Sequence, residues 1–328
     1  MSKKCKKLIE IRNLSKHFEV KDVFFSKKIL KAVDDISFSI AEGETLGLVG
    51  ESGSGKTTAG RTILRLYTPT SGEILYRGKK IESKEDIKEY RKKVSCVFQD
   101  PYSSLDPRMT VADIIAEPLD IQGVYTDNGE RRDKILSLME SVGLRSEHMR
   151  RYAHEFSGGQ RQRIGIARAL ATSPEFLVCD EPVSALDVSI QAQIINMFES
   201  LRDKLGLTYL FIAHDLLVVR HISTRIAVMY LGEIVEISDS NSVYSCPLHP
   251  YTKALISAIP IPDPNSARRE SKIQINSDIP SPMNKPSGCP YKTRCNEAKE
   301  ICNHEKPLLR EFYRDHFVAC HRAEELLK

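Results

Sequence analysis

The sequence predicts an α/β fold built around a phosphate-binding loop, and three observations predict it. Residues 50–58 read GESGSGKTT and fit G-x-x-x-x-G-K-S/T at Gly50, Gly55, Lys56 and Thr57. The loop is preceded by a short apolar run at 44–49, suited to a buried strand, and followed by 59–66, which reads as helix. Residues 176–179, FLVC, form a continuous apolar run of the kind a parallel strand buried on both faces needs, and it ends in Asp180-Glu181-Pro182. A helix over about 188–205 and a strand over 208–213, ending in His214-Asp215, repeat the β/α alternation. Acids at the carboxyl end of such strands face a ligand crevice.

The loop carries its own chemistry. Its glycines allow backbone N–H groups to close around phosphate oxygens, with Ser52, Gly53, Ser54 and Thr58 completing the cradle, and the N-terminus of the following helix favours negative charge. Lys56 reaches the β- and γ-phosphates of such a ligand, and the Thr57 hydroxyl suits Mg²⁺. The expected ligand is a nucleoside triphosphate with magnesium. Asp180 supplies a carboxylate to hold that metal and Glu181 one to polarise an attacking water. Gln99, at the end of another strand, suits a water or magnesium contact, and His214 a γ-phosphate contact. Taken singly, each has a plainer reading. Apolar runs ending in two acids are common, a lone Gln after a strand is more often a surface residue, and a lone His there is more often structural.

Along the chain, 8–20 and 31–40 alternate apolar and polar positions and predict strands with one covered face, through Val33, Ile36, Phe38 and Ile40. The charged stretch 21–28 between them reads as a loop. A strand at 73–76, a solvated helix at 83–93 and a strand at 94–99 follow the phosphate loop. Loop and short helix fill 102–119, and 131–142 places Ile135, Leu138, Met139 and Val142 on one helical face as core. Ser157 stands where a helix N-cap belongs, before a helix with Ile164, Ala167, Leu170 and Ala171 as its apolar face. Strands are expected at 226–231 and 233–237. Beyond Cys246, prolines at 260, 262, 264, 280, 282, 286 and 290 mark irregular chain, so a boundary is set near residue 246. The expected domains are 1–246, with a helical insertion at about 100–157, and 247–328.

With 328 residues the chain is long enough for two such modules. A hydrophobic content of 41% and charged content of 28% are ordinary for a globular protein, and no apolar stretch is long enough to span a bilayer. The basic start lacks a secretion signal core, so the chain is expected in the cytosol. A net charge of +4 with no basic, aromatic-interleaved stripe gives no support to nucleic-acid binding. Of eight cysteines, Cys5, Cys96, Cys179 and Cys246 are scattered, whereas Cys289, Cys295, Cys302 and Cys320 crowd the end. In a reducing compartment that crowding points to metal before disulfides.

Ser157-Gly158-Gly159-Gln160 adds a second anion-binding helix start, and here the chain resembles the ATP-binding cassette (ABC) ATPases over residues 8 to about 240. The motifs run in that family's order: Walker A at 50–57, Q-loop at Gln99, signature at 156–160, Walker B at 176–180, catalytic Glu181, D-loop at 184–187 with Asp187, and switch His214. Phe156 replaces the usual signature Leu. The resemblance implies that two such subunits pack head to tail, with Ser157 and Gly159 acting on ATP held by the other subunit. It also implies that Phe18 stacks on adenine, where Tyr is more usual. Finer likeness comes from QDPYSSLDPRMT at 99–110, HPYT at 249–252 and AIP at 258–260, which resemble the dipeptide and oligopeptide importer ATPases, and the first of these the F-type subunit. The partners so implied are a D-type ATPase, two transmembrane permeases and an extracellular peptide-binding protein. Nickel importers share these signatures.

The cysteine tail matches the C-terminal segment of the same subunits. Gaps of five, six and seventeen residues do not follow paired C-x-x-C zinc spacing. The resemblance implies a 4Fe-4S cluster on the four thiolates. Zinc on four Cys, or three with His304, His316 or His321, is the rival, and an unmetallated tail the remaining alternative. The segment PLL at 307–309 is expected to be pinned against the extension by such a clip. The reading as a whole is an ATPase driving peptide uptake from the cytoplasmic face of the membrane. A soluble ABC ATPase of DNA repair or translation is the alternative from another class, without the coiled-coil insert or second cassette typical of those proteins. A redox sensor with a vestigial ATPase is disfavoured by the presence of Lys56, Asp180, Glu181 and His214 together.

Overall fold

The computed structural model describes residues 6–21, 27–125, 127–259 and 280–326. In chain order its elements are β1 (Lys7–Lys21), β2 (Lys27–Ala41), β3 (Thr45–Val49), α1 (Lys56–Ile63), β4 (Ser71–Tyr76), β5 (Lys79–Lys80), α2 (Lys84–Lys93), β6 (Val94–Val97), α3 (Val111–Gln122), α4 (Asn128–Ser141), α5 (Gly158–Leu170) and β7 (Phe176–Asp180). There follow α6 (Val188–Leu205), β8 (Thr208–Ile212), α7 (Leu216–Ile222), β9 (Arg225–Tyr230), β10 (Glu233–Asp239), α8 (Ser240–Ser245), α9 (Pro250–Ser257), α10 (Ile301–His304), β11 (Arg310–Tyr313), β12 (His316–Val318) and α11 (Ala323–Leu326). They fall into two compact units, each discontinuous in sequence: Met1–Ile9, Ile40–Thr45 and Leu75–Ile212, and Glu10–Ser39, Leu46–Ile74 and Ala213–Lys328.

In the first unit β6, β7 and β8 run parallel, with Val94 opposite Phe176, Val97 opposite Cys179, and Asp180 opposite Ile212. Every residue of β7 and β8 is buried, which is why 176–179 reads as an unbroken apolar run; β8 opens on the buried polar Thr208 and continues apolar. The ladder of β6 stops at Val97, leaving Phe98 and Gln99 exposed beyond it. Two 3-10 turns, at Ser146–Arg150 and Ala153–Glu155, follow α3 and α4, and both helices pack on α5. Ile135, Leu138, Met139 and Val142 are buried, as the stripe predicts. In α2 only Tyr90 is buried, as expected of a charge-dense helix, and Ser83 and Asp86 close its start with reciprocal hydrogen bonds.

In the second unit β3, the strand that feeds the phosphate loop, runs parallel to β9, with Leu46 opposite Arg225 and Val49 opposite Val228. The sheet continues antiparallel through β10, β12 and β11. The two C-terminal strands therefore extend the sheet that presents the phosphate loop, and the expected boundary at residue 246 falls inside one unit. Leu248, Val318 and Ala323 form a small core there, with Phe312 and Cys320 packed against it. In the segment PLL, Pro307 is buried and Leu309 half-buried, whereas Leu308 is 70% exposed. The tail is also held by ladder pairing of β12 on β10 and by Phe312, packed on the small core.

Helix α1 starts at Lys56, directly after the loop, and ends at Ile63, earlier than expected, since Arg65 takes a left-handed φ of 59° that no helix accommodates. Leu8, Ile9, Ile11, Val33, Ile36, Phe38 and Ile40 are buried, in keeping with the alternation of the first two strands. The expected loop at 21–28 is outside the described residues over 22–26, as are Cys5 and the proline-marked stretch 260–279. No helix among the described residues is long and apolar enough to cross a membrane.

Candidate functional site

The phosphate loop, in the second unit, requires glycine at its two ends. Gly50 has φ 154° and Gly55 φ 105°, and a Cβ on either would lie 2.1 Å from a backbone oxygen, that of Met229 or Ala32. Only a residue without a side chain lets the loop run this close to its neighbours. Lys56 is 5% exposed, and its Nζ reaches back across the loop to donate to the carbonyls of Gly50 (2.7 Å) and Glu51 (3.0 Å). No side chain caps the start of α1, whose N-cap is Gly55, so its first N–H groups suit an anion. Ser54 is buried, Thr57 and Thr58 are half-buried, and Ser52 and Gly53 are exposed. In the same unit Phe18 meets Tyr67 edge to face at 5.5 Å, with the Lys16 ammonium 4.9 Å from its ring centre. His214 is exposed, just before Asp215, which caps α7.

The first unit brings Gln99 and Glu181 together, the Gln99 Nε2 donating to Glu181 Oε2 at 2.9 Å. Glu181 stands in the left-handed region at φ 47°, unusual for a residue with a side chain, and its N–H donates to the Ile212 carbonyl at 2.9 Å. The chain turns sharply there at the end of β7, leaving Asp180 buried at 2% exposure and Glu181 half-buried. Such a pair, a carboxylate with an amide to orient it, can hold and polarise a water. Ser157 caps α5 as expected: it accepts the Gln160 N–H at 3.4 Å, and its own N–H donates to Gln160 Oε1 at 3.2 Å. A Cβ on Gly159 would lie 2.5 Å from Ile190 Cγ2, so that helix start also packs closely. Gly158 is half-buried, and Asp187 is exposed at the N-cap of α6, making no side-chain capping bond.

Sequence reasoning missed three residues around the phosphate loop: Glu51, Tyr251 and Arg294. The Glu51 N–H donates to the Tyr251 hydroxyl at 2.9 Å, and its carboxylate takes two bonds from the Arg294 guanidinium at 2.7 and 2.9 Å. Tyr251 lies in the HPYT stretch that carries the family likeness, and Arg294 directly precedes Cys295, but neither position by itself signals a contact with the phosphate loop.

The four C-terminal cysteines line one cavity of about 10 Å³ together with His249, Tyr291, His321 and Arg322. Burial and the neighbouring thiols push the Cys289 thiol up to about 12, and burial above all pushes Cys320 up to about 11. Among the described residues no three His, Cys, Asp or Glu side chains form a group that could hold a single metal ion. Two proposed zinc ligands are corrected. His304 is exposed and pairs with Glu300, and His316 is buried against Glu236 at 2.7 Å, so of the three histidines only His321 faces the cavity.

The family described as ABC transporter matches residues 33–184, and that described as oligopeptide/dipeptide transporter, C-terminal region, matches 235–302. The putative oligopeptide transport ATP-binding protein YkfD of Bacillus subtilis is 52% identical over 316 residues, covering 96% of this chain and 95% of its own. The chain belongs to the oligopeptide transport ATP-binding proteins of the ABC transporter family. The AppF protein of the same organism, also an oligopeptide transport ATP-binding protein, is 51% identical over 96% of this chain and 97% of its own. A solved dimeric ATP-binding cassette, MJ0796 bound to ADP and Pi, superposes with a TM-score of 0.63 at 28% identity, covering 71% of this chain and 99% of that one. The chain is thus an ATPase of ABC type, and its nucleotide-binding fold is that of a cassette.

Proposed function

We propose that this chain is the F-type, ATP-hydrolysing subunit of an importer of dipeptides or oligopeptides, bound peripherally at the cytoplasmic face of the membrane beneath two permeases. The observation that carries the enzymatic part is the Gln99–Glu181 contact, which joins a water-orienting amide to a carboxylate at the end of a buried strand. In the proposed step Glu181 polarises a water whose oxygen attacks the γ-phosphorus. The bond to the bridging oxygen breaks, giving ADP and phosphate, and Glu181 takes up the water proton. Lys56 and the loop N–H groups hold the phosphates, Thr57, Asp180 and Gln99 serve magnesium, His214 meets the γ-phosphate, and Phe18 supports the adenine. Ser157, Gly158, Gly159 and Gln160, with Asp187, act on the nucleotide of a D-type partner subunit. ATP binding closes that dimer and hydrolysis reopens it. Domain 1–246 does this work, and 247–328 is the family's extension.

An oligopeptide cargo is supported by the relatives YkfD and AppF, which are oligopeptide transport ATP-binding proteins. Co-expression with the permeases and binding protein, reconstitution in vesicles and assay with labelled oligopeptide and nickel should give ATP-dependent peptide uptake. Nickel uptake alone would replace the cargo, and co-purification with no membrane partner would favour the soluble class.

The extension is read as a metal-binding one. Four thiols lining one cavity suit a 4Fe-4S cluster as a donor set, and the cavity they share, of about 10 Å³, has room for one water at most. Cys289, Cys295, Cys302 and Cys320 would hold it, and such a group supplies a structural clip across a tail of little core. Their burial as thiols raises the cost of the thiolates, which coordination relieves. Iron and acid-labile sulfide on anaerobically purified protein decide the matter. One zinc per chain without sulfide would favour Cys₄ or three Cys with His321.

A further inference from the structure

Glu51 is the acidic residue inside the phosphate loop, and a carboxylate beside a site for a polyanion is unfavourable unless it is neutralised. Each of its polar groups has a partner. Its carbonyl accepts from Lys56 Nζ at 3.0 Å and from the Ser54 N–H at 3.2 Å. Its N–H goes to the Tyr251 hydroxyl, and its carboxylate is gripped by Arg294 through two bonds. Two of these partners come from far along the chain, Tyr251 from α9 and Arg294 from the cysteine-bearing loop.

Arg294 is itself fixed. Its side chain is 4% exposed, and the guanidinium carbon lies 5.8 Å from the ring centre of Tyr230 and 5.9 Å from that of Tyr291. Tyr230, Tyr251 and Tyr291 in turn contact one another, with ring centres 4.6 to 5.4 Å apart. An arginine with so little rotational freedom gives a two-bond contact that a lysine cannot reproduce. The backbone on either side is tied as well: the Cys289 N–H donates to the Cys302 carbonyl at 2.9 Å, and the Arg294 N–H to the Tyr291 carbonyl at 3.0 Å.

We propose that Arg294 is a positioning residue of the nucleotide site: from the C-terminal extension it neutralises and orients Glu51, so that the phosphate loop presents its N–H groups and Lys56 to a nucleoside triphosphate without a competing negative charge. Tyr251 fixes the peptide of the same residue. The extension is then part of the ATP site by function as well as by sheet pairing. This rests on the reading of residues 50–58 as that site.

The test is equilibrium binding of Mg-ATP to the full chain, with Lys56→Ala as the control for the site. Arg294→Met leaves the Glu51 charge uncompensated and should weaken binding on the order of tenfold, the size of one unit charge acting across a partly screened protein surface. Arg294→Lys should recover part of that loss. The double variant Glu51→Gln with Arg294→Met should recover most of it, because the repelling charge is gone while the backbone contacts of residue 51 remain. Wild-type affinity in Arg294→Met would overturn the proposal, as would a double variant no better than the single, since the loss would then come from a loosened tail. If the wild type itself bound no ATP, or Lys56→Ala bound it as well as the wild type, the failure would lie with the reading of the loop and not with Arg294.

Discussion

His249 should make the stability of the second unit depend on pH. The residue is 2% exposed at the N-cap of α9, where its Nδ1 accepts the Tyr251 N–H at 3.0 Å, a role only the neutral ring can fill. Burial pushes its pKa down from 6.5 to about 4, against the opposing pull of Glu236. Glu236, wholly buried, already accepts the N–H groups of Leu248 and His249 and pairs with His316. Below pH 6.5 the unfolded chain binds a proton that the folded chain refuses, so stability is full above that pH and falls as the pH drops towards 4. A gap of about 2.5 in pKa at 1.36 kcal/mol each amounts to about 3 kcal/mol in all, of which about 2 kcal/mol is lost by pH 5. His249→Asn keeps an acceptor at the cap but cannot titrate. Denaturant unfolding at pH 7.5 and 5.0 can be followed by tyrosine fluorescence, since the chain has no Trp. The wild type should lose about 2 kcal/mol more than the variant on acidification. Equal losses in the two proteins would show that His249 does not carry the effect.

Three further outcomes follow from the site. Glu181→Gln should keep Mg-ATP binding and lose turnover by about a hundredfold or more, trapping a closed dimer with the partner subunit; wild-type turnover would remove Glu181 from its role. Ser157→Arg should block dimer closure while the separate chain still binds ATP, at a local cost of about 1 kcal/mol for the lost cap. A loss of affinity in the separate chain as deep as that of Lys56→Ala would place Ser157 at its own nucleotide. Cys302→Ser, at a residue 8% exposed, should lower iron content and open the tail to protease while ATP still binds, as read by metal analysis and limited proteolysis. Unchanged iron in that variant would strike Cys302 from the ligand set.

What the sequence made legible is local, and what it concealed is long-range. The phosphate loop announces itself because Gly50 and Gly55 must lack side chains and Lys56 must follow, constraints that all act within a few residues. The strand β7 is equally plain, since burial on both faces forces the unbroken apolar run at 176–179. By contrast the end of α1 turned on a left-handed Arg65, and no rule of composition marks that position. Glu51 and Arg294 are 243 residues apart, and neither looks unusual beside its own neighbours: an acid in a loop, and a basic residue next to a cysteine. The extension was legible as a separate cysteine-rich tail because its composition changes, but composition says nothing about pairing. Only the ladder from β12 to β10, β9 and β3 shows that the tail shares a sheet with the phosphate loop. That shared sheet gives Arg294 and Tyr251 a fixed distance to Glu51. A residue of the tail can act on the loop only because both are held by the same strands, so the arginine's part in the site belongs to the fold and could not be read from any one stretch of sequence.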